Sequence, residues 1–372
     1  MRTKKKILII HSSLHGGGAE KVLIDILTHF DYSIYDIELL LLKKEGVYMH
    51  SIPDKVKVLN VIIKSFPYWC NKILIKSNLY GLYLKKTVRS YFGHKHYDTI
   101  ISFMEGPPAK CHSYLRDKGN KNISWIHTNL LEKHWSRLFF PLKNEEKNFY
   151  AWLDEIVFVS EESKTKFDIL FGLKKGRVIY NLIDREAIRN KAKRIAPTKV
   201  KFTICNAGRL TDSKRQDRIV HIASILKEWG YDIDFWILGE GKLKKDLIKL
   251  AKEKEVETMV HFLGFQENPY AYINAADVFL LTSDYEGFSL VVAEALCLCK
   301  PVISTHITGP IEQLNNGKYG ILTNHNTNEI AEAIKRLIDN PAILQEYVEK
   351  ADYRGKTLFD INRTMKQVYE TI

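Results

Sequence analysis

The chain has 372 residues, of which 45% are hydrophobic and 27% charged, and a formal net charge of +12. This length is enough for two domains, and the composition is that of a globular chain, which excludes a disordered or fibrous protein. No apolar run approaches the roughly 20 residues of a membrane-spanning helix. The five cysteines have no metal-ligand spacing and leave one unpaired, which favours a reducing compartment.

The N-terminus carries basic residues followed by the apolar run Ile7–Ile10. This run is too short for a signal peptide, and the polar residues after it leave no small-residue cleavage site. We therefore expect a first β-strand and a cytoplasmic protein. An anionic membrane surface or a phosphate-bearing substrate would account for the net charge. We expect no nucleic-acid partner, because zinc-finger spacing, RRM-like sequence and basic heptads are missing from the sequence.

Short apolar runs alternate along the chain with stretches of helical periodicity, which predicts an α/β protein with parallel sheets covered on both faces. The predicted strands of the first half are Ile7–Ile10, Ile37–Leu42, Val56–Ile62, Thr99–Phe103, Ile123–Ile126, Ile156–Val159 and Val178–Tyr180. Those of the second half are Phe202–Cys205, Asp234–Leu238, Val260–Leu263, Val278–Thr282, Val302–Ser304 and Gly320–Leu322. Helical periodicity is clear in Gln216–Glu228, Leu243–Glu253 and Glu329–Leu337.

A hinge is predicted from Asn181 through a polar, basic stretch that ends near Pro197. It separates an N-terminal domain, residues 1–182, from a C-terminal domain, residues 183–355. The remaining residues, 356–372, are expected to form a helix that packs back toward the N-terminal domain.

Three glycines lie between the first strand and the first helix, and Gly16 and Gly17 are the first two of them. Glycine lets backbone N–H groups approach a phosphate closely. The spacing differs from the G-x-G-x-x-G dinucleotide fingerprint, and the glycines could equally form only a tight turn. Further along, His127 follows Trp125 at the carboxyl end of a strand, where sheets of this type bind ligands. A hydrogen-bonded structural histidine is the alternative.

The segment Asn206–Lys214 predicts an anion site in the second half. A strand leads into Gly208 and Arg209, and Lys214 follows five residues after the arginine. Two fixed cations at the carboxyl end of a strand could neutralise a leaving diphosphate. They could also be ordinary surface cations of a basic protein.

The segment Ser283–Ala295 is the most specific pattern in the sequence. A buried strand runs into a turn at Gly287, and a helix begins at about Ser289, whose first-turn N–H groups could bind a diphosphate. Glu294 could accept paired ribose hydroxyls and Glu286 the hydroxyls of a donor sugar. The alternative is a solvated Glu286 and a Glu294 that offsets the helix dipole.

Taken in order, these segments resemble glycosyltransferase family 4, the retaining enzymes of the GT-B fold. Trp125–Thr128, Leu238–Gly241 and Gly309–Glu312 also fit the resemblance. It implies two Rossmann-like doubly wound domains facing a central cleft, an N-terminal one for the acceptor and a C-terminal one for the nucleotide-sugar. It further implies transfer of a hexose or N-acetylhexosamine, most often from a UDP-sugar, to a lipid-linked saccharide in bacterial surface polysaccharide synthesis.

The resemblance assigns roles position by position. Arg209 and Lys214 would contact the diphosphate, Glu286 the transferred sugar and Glu294 the ribose, while His127 would lie close to the reacting carbon. Expected catalytic residues are His127, Glu286, Arg209 and Lys214. Expected donor-binding residues are Gly16, Gly17, Gly208, Arg209, Lys214, Gly239, Phe265, Glu286, Gly287, Phe288, Ser289, Leu290, Val291 and Glu294.

The sequence departs from the family pattern at two positions. Ser289 stands where glycine is more frequent, and Thr308 precedes Gly309 where the family has paired glycines before proline. No metal or other cofactor is expected: Asp232 and Asp234 resemble a metal motif of another transferase fold but are interpreted as a turn and a strand start. A nucleotide-sugar epimerase of the same fold and a catalytically silent glycan-binding subunit remain alternatives.

A stretch without acidic residues, from Lys55 to Tyr97, carries nine cations interleaved with eight aromatic residues. Cations with amphipathic aromatics are typical of a helix lying on anionic lipid. A second patch, Lys133–Lys147, adds Trp135, Phe139 and Phe140. We expect the protein to associate peripherally with the inner face of the cell membrane; a solvated basic face over core aromatics is the alternative.

Overall fold

A computed structural model describes residues 3–59, 79–193 and 197–372. The chain divides into two compact units. Unit 1 is formed by Met1–Leu182 together with Ile361–Ile372, and unit 2 by Ile183–Asp360. Both are α/β.

Unit 1 is built on a parallel sheet of seven strands in the order β3-β2-β1-β4-β5-β6-β7. Their bounds are β1 Lys5–His11, β2 Tyr35–Leu41, β3 Lys57–Val58, β4 Tyr97–Ser102, β5 Gly119–Ile126, β6 Glu155–Phe158 and β7 Arg177–Val178. The α-helices described in this unit are α1 Gly18–Thr28, α2 Leu79–Tyr91, α3 Pro107–Ser113, α4 Glu145–Trp152, α5 Glu161–Phe171 and, near the C-terminus, α14 Ile361–Thr371. A 3-10 helix spans Trp135–Phe139.

Unit 2 has a parallel sheet of six strands in the order β10-β9-β8-β11-β12-β13. Their bounds are β8 Thr203–Ala207, β9 Asp234–Leu238, β10 Val260–Gly264, β11 Val278–Leu281, β12 Val302–Thr305 and β13 Ile321–Thr323. Its helices are α6 Arg185–Ala192, α7 Asp217–Glu228, α8 Lys244–Glu253, α9 Pro269–Ala275, α10 Leu290–Cys297, α11 Thr308–Gln313, α12 Thr327–Asp339 and α13 Pro341–Leu358.

The central strands are buried on both faces, which is why their sequences are continuous apolar runs and do not alternate. All five residues of β8 and all four of β11 are buried. In unit 1 the same holds for the last five residues of β1. The carboxyl ends of these strands lie at one edge of each sheet, and the predicted site residues follow them.

Each predicted strand overlaps an observed one, and the α/β class is confirmed. The agreement is closest at β9, whose observed bounds equal the predicted ones. The second part of the predicted strand Val56–Ile62 lies outside the described residues.

The polar stretch expected to be a hinge contains a helix, α6. Asp184 caps this helix by accepting a hydrogen bond from the Ala187 N–H at 2.8 Å. Helix α6 packs against α9 and α10 of unit 2. Near the C-terminus the chain leaves α13 at Phe359, whose extended backbone ends the helix, and α14 joins unit 1.

Several of the described aromatic residues in the two basic stretches pack in the core of unit 1. Phe92 and Phe140 are fully buried, and Tyr80, Trp135 and Phe139 pack against core clusters. Lys64, Phe66, Tyr68, Trp69, Lys72 and Lys76 lie outside the described residues. In the described ranges no helix combines the length and apolar character needed to span a membrane.

Candidate active site

The N-terminus of helix α10 begins directly after the loop that follows β11. Ser289 is its N-cap residue, and Glu294 lies beyond the first helical turn, which holds no acidic residue. A carboxylate at that position does not offset the helix dipole, so this alternative interpretation of Glu294 is wrong. Glu294 is 5% exposed, and the Tyr270 hydroxyl donates a hydrogen bond to its Oε1 at 3.3 Å.

The Glu286 carboxylate is held by two partners from different parts of unit 2. The Lys214 Nζ donates to Glu286 Oε1, and the Ser283 hydroxyl donates to the same oxygen at 3.0 Å. The side chains of Lys214 and Glu286 are 22% and 14% exposed, so Glu286 is not the solvated residue of the alternative interpretation. The structure therefore brings together two predicted site residues that are 72 positions apart in sequence.

The loops after β8 and β9 pack backbone against backbone at the same sheet edge. Gly239 has a φ of +129°, and a Cβ at this position would lie 2.1 Å from the Gly208 carbonyl oxygen. A Cβ at Gly208 would meet the side chain of Lys214 at 3.7 Å. The close approach and the positive φ explain the glycine at 239, and the contact at Gly208 places Lys214 beside this loop. Arg209, the neighbour of Gly208, is exposed.

Gln313 is a functional candidate that the sequence interpretation missed. Its buried side chain accepts a hydrogen bond from the Ser289 N–H at 3.2 Å and donates one to the Ser289 carbonyl oxygen at 2.9 Å. A Cβ at Gly309 would lie 3.0 Å from Phe288 Cα. Gly309 and Gln313 thus support the loop that carries Gly287 and Phe288.

The hydroxyl of Ser289 is buried and has no hydrogen-bond partner among the described residues. Leu290 and Val291, the next predicted donor-binding residues, are half-buried in the first turn of α10. Phe265 follows β10 at the same edge of the unit 2 sheet and is 65% exposed. Its ring offers a free aromatic face.

Gly16 and Gly17 form the turn between β1 and α1 in unit 1. Gly16 has a φ of +104°, and a Cβ at Gly17 would lie 2.2 Å from a carboxylate oxygen of Glu20. Glu20 lies in the first turn of α1, so an anion bound at this helix end would have to displace its carboxylate.

His127 follows β5 at the carboxyl edge of the unit 1 sheet. Its ring centroid lies 5.0 Å from that of Phe103, and its Nε2 is buried without a partner among the described residues. Burial, and next the neighbouring His11, lower the pKa of His127 to about 3. The imidazole is therefore neutral near pH 7 and offers a hydrogen-bond acceptor rather than a proton.

Glu105 was also missed by the sequence interpretation, because it matches no motif. It lies in the loop after β4 and is fully buried. Its carboxylate accepts a hydrogen bond from the His127 N–H at 3.0 Å and another from the Thr128 hydroxyl. Burial raises the pKa of Glu105. An acidic residue before Gly106-Pro107-Pro108, directly after a strand, is the signal that could have indicated it.

Two family models match the chain, one in each half. Residues 16–187 match Glycosyltransferase Family 4, and residues 187–356 match Glycosyl transferases group 1. A Campylobacter jejuni enzyme, N-acetylgalactosamine-N,N'-diacetylbacillosaminyl-diphospho-undecaprenol 4-alpha-N-acetylgalactosaminyltransferase, is 28% identical over 95% of each chain. A poly(ribitol-phosphate) alpha-N-acetylglucosaminyltransferase of Staphylococcus aureus is 27% identical over 46% of this chain and 35% of its own.

Solved structures show the same fold. HepE of Anabaena in complex with UDP has a TM-score of 0.76 and 21% identity, and the match covers 98% of this chain and 99% of HepE. TarM has a TM-score of 0.78 and 16% identity, with 100% and 99% covered. The expectation of two Rossmann-like domains of the GT-B type is confirmed.

Proposed function

Because this chain is a glycosyltransferase of the GT-B fold, we propose that it transfers a hexose or N-acetylhexosamine from a UDP-sugar to a saccharide acceptor with retention of the anomeric configuration. The observation that carries the proposal is the contact between Lys214 and Glu286 beside the N-terminus of α10. It joins a cation and a carboxylate to the first-turn backbone N–H groups of α10 at one sheet edge. A relative solved with UDP-glucose, HepE, supports the choice of donor.

Charge stabilisation is the main chemical task of these residues. When the bond between the sugar and the diphosphate breaks, negative charge builds on the leaving group. Arg209 and Lys214 supply positive charge, and the first-turn N–H groups of α10 add donors. Glu286, held by Lys214 and Ser283, accepts hydroxyls of the transferred sugar, and the deeper Glu294 accepts those of the ribose.

Retention is assigned to same-face attack assisted by the leaving phosphate, as the resemblance implies. Glu286 already binds a lysine and a serine through one oxygen, which suits a hydrogen-bonding role better than that of a covalent nucleophile.

We propose that the reaction needs no metal, because cations of the chain neutralise the diphosphate. The two aspartates of the rejected motif have partners of their own. Asp232 pairs with Lys201 at 2.6 Å, and Asp234 contacts His261 at 3.0 Å.

We further propose a lipid-linked saccharide as acceptor and an anionic membrane as the place of work in surface polysaccharide synthesis. The Campylobacter relative acts on a diphospho-undecaprenol-linked substrate by its name. In unit 1, exposed leucines accompany the exposed cations. They are Leu79 and Leu82 on α2, and Leu131, Leu138 and Leu142 between β5 and α4. Helix α3 packs against both α2 and the 3-10 helix Trp135–Phe139, which lies in the second basic patch, Lys133–Lys147.

Ligand-dependent thermal shift with a panel of nucleotide sugars tests the donor. A ligand at 100 times its Kd stabilises the folded state by about 2.7 kcal/mol, so UDP-sugars should raise the Tm of the wild type. Lys214→Ala should lose the shift, whereas Lys245→Ala, a control at an exposed position, should keep it. The donor that binds is then incubated with an acceptor in the presence of EDTA, and NMR identifies the anomeric configuration of the linkage in the product.

Each alternative function has its own outcome in this experiment. An altered donor released without acceptor would indicate an epimerase. A chain that binds glycan but no nucleotide would be a silent subunit. Loss of transfer in EDTA with recovery in magnesium would contradict the metal-free mechanism, and inversion of the anomeric centre would contradict retention.

A further inference from the structure

We infer that Glu105 is a positioning residue for His127, a role that rests on the proposed glycosyl transfer and on the expectation that His127 lies close to the reacting carbon. Glu105 and His127 lie on neighbouring loops, after β4 and β5, which are adjacent strands of the unit 1 sheet. Glu105 Oε2 accepts the backbone N–H of His127 at 3.0 Å. This hydrogen bond holds the backbone of His127, the residue whose imidazole must be oriented.

The second oxygen of Glu105 fixes the next residue. It accepts the hydroxyl of Thr128, and the same hydroxyl oxygen accepts the Trp135 indole N–H at 3.2 Å. The Trp135 ring covers Gly106, where a Cβ would lie 2.6 Å from the ring. The chain on both sides of His127 is thereby tied to the loop after β4.

This arrangement leaves the His127 ring with little freedom. Its ring packs against that of Phe103 at an interplanar angle of 50°, and the imidazole forms a hydrogen bond with the Phe103 backbone. The Nε2 atom alone has no partner within the described ranges. A neutral acceptor held in one orientation fits a sugar hydroxyl, which must be bound at a defined angle for reaction.

Burying a carboxylate without a cation is costly, and a purely structural role could be served by an apolar side chain. The structure contains a comparison within the same unit. Glu146 is also buried, but its Oε2 pairs with His134 at 2.8 Å. Glu105 accepts from neutral donors instead, among them its own backbone, the His127 N–H, the Thr128 hydroxyl and the Trp135 side chain, and two of these belong to residues 127 and 128.

The test compares Glu105→Gln with Glu146→Gln, two isosteric changes at buried carboxylates. Both variants should lower Tm. Only Glu105→Gln should lower kcat for transfer. The expected loss is about 10- to 100-fold, which is the order of magnitude for a misplaced active-site group. UDP affinity should stay within about twofold of wild type, because the side chains proposed to hold the donor, those of Arg209, Lys214, Glu286 and Glu294, lie in unit 2. Thr128→Val should show a smaller loss, and Thr128→Ser, which keeps the hydroxyl, should be close to wild type.

A double-mutant cycle separates positioning from general destabilisation. In a His127→Ala background, Glu105→Gln should lower kcat no further. Additive losses, or equal losses in Glu105→Gln and Glu146→Gln, would overturn the inference. If His127→Ala is inactive, 15N NMR of the imidazole replaces the cycle: the His127 signals should shift in Glu105→Gln and not in Glu146→Gln. Absence of any transfer by the wild type would instead refute the proposed function.

Discussion

Glu286 and Glu294 lie eight residues apart but have different surroundings. Glu286 contacts Lys214 and Ser283 in the loop before α10. Glu294 is nearly inaccessible and receives the Tyr270 hydroxyl. This difference in surroundings supports the proposal that the two carboxylates contact different parts of the donor.

We predict that Glu294→Ala weakens the binding of UDP and of the UDP-sugar alike. A hydrogen bond to a charged group contributes about 1.5–3 kcal/mol, which is roughly 10- to 100-fold in Kd. Glu286→Ala should lower kcat while UDP affinity stays near that of wild type, since the lost contact is to the sugar and Lys214 remains. Calorimetry with UDP measures both. Tyr270→Phe should lose less affinity than Glu294→Ala, and equal loss of UDP affinity in the two glutamate variants would refute the division of roles.

Helix α2 packs one face against the core of unit 1 and exposes the other. Its Leu84 and Val88 are buried, whereas Leu79 and Leu82 are more than half exposed. The exposed side also carries Lys85 and Lys86. Apolar and cationic groups together favour an anionic bilayer surface.

We predict that the protein co-sediments with anionic vesicles at low salt and much less with neutral ones. Each cation near the surface contributes about 1 kcal/mol, and salt screens this attraction. Changing Lys85 and Lys86 to Ser should release a large fraction of the protein. The same charge change at Lys245 and Lys252, two exposed lysines of α8 in unit 2, should not. Binding that survives the first pair of changes, or ignores lipid charge, would leave α2 as a solvated basic face.

At the scale of the whole molecule, three histidines whose pKa is lowered by burial are concentrated in unit 1. His11, His112 and His127 all lie in unit 1, and burial lowers the pKa of each, to about 4, about 4 and about 3. Their imidazoles stay neutral in the folded state while those of the unfolded chain become protonated below pH 6.5. Acidification therefore favours unfolding of unit 1. Glu105 acts in the opposite direction, because its pKa is raised.

We predict that the free energy of unfolding falls steeply from pH 6.5 to pH 5. One histidine that is protonated only in the unfolded chain lowers the free energy of unfolding by about 1.4 kcal/mol for each pH unit of acidification. Three such histidines lower it by up to about 4 kcal/mol per pH unit. Urea unfolding at several pH values measures the slope. His112→Gln should reduce it by roughly one third, because it removes one of the three buried histidines whose pKa is lowered. His50→Gln, at an exposed position, should leave the slope unchanged; an equal change in both variants would contradict this account.

The sequence by itself determined the elements and their class. Strands such as β8 and β11 are apolar throughout because parallel sheets are covered on both faces. The alternation of strands and helices predicted parallel sheets, and the resemblance to glycosyltransferase family 4 implied two Rossmann-like domains. The turn at Gly287 and the helix after it were also predictable, because glycine and the apolar run Leu290–Cys297 are local signals.

Tertiary structure decided which residues meet and which side of an element is exposed. Glu105 and His127 are 22 positions apart, and Ser289 and Gln313 are 24 apart; no local pattern encodes these pairs. The burial of Phe92 and Phe140 likewise depends on neighbouring elements. Hydrophobic periodicity is a property of one segment, whereas contact, burial and pKa arise from the groups that folding brings around a side chain.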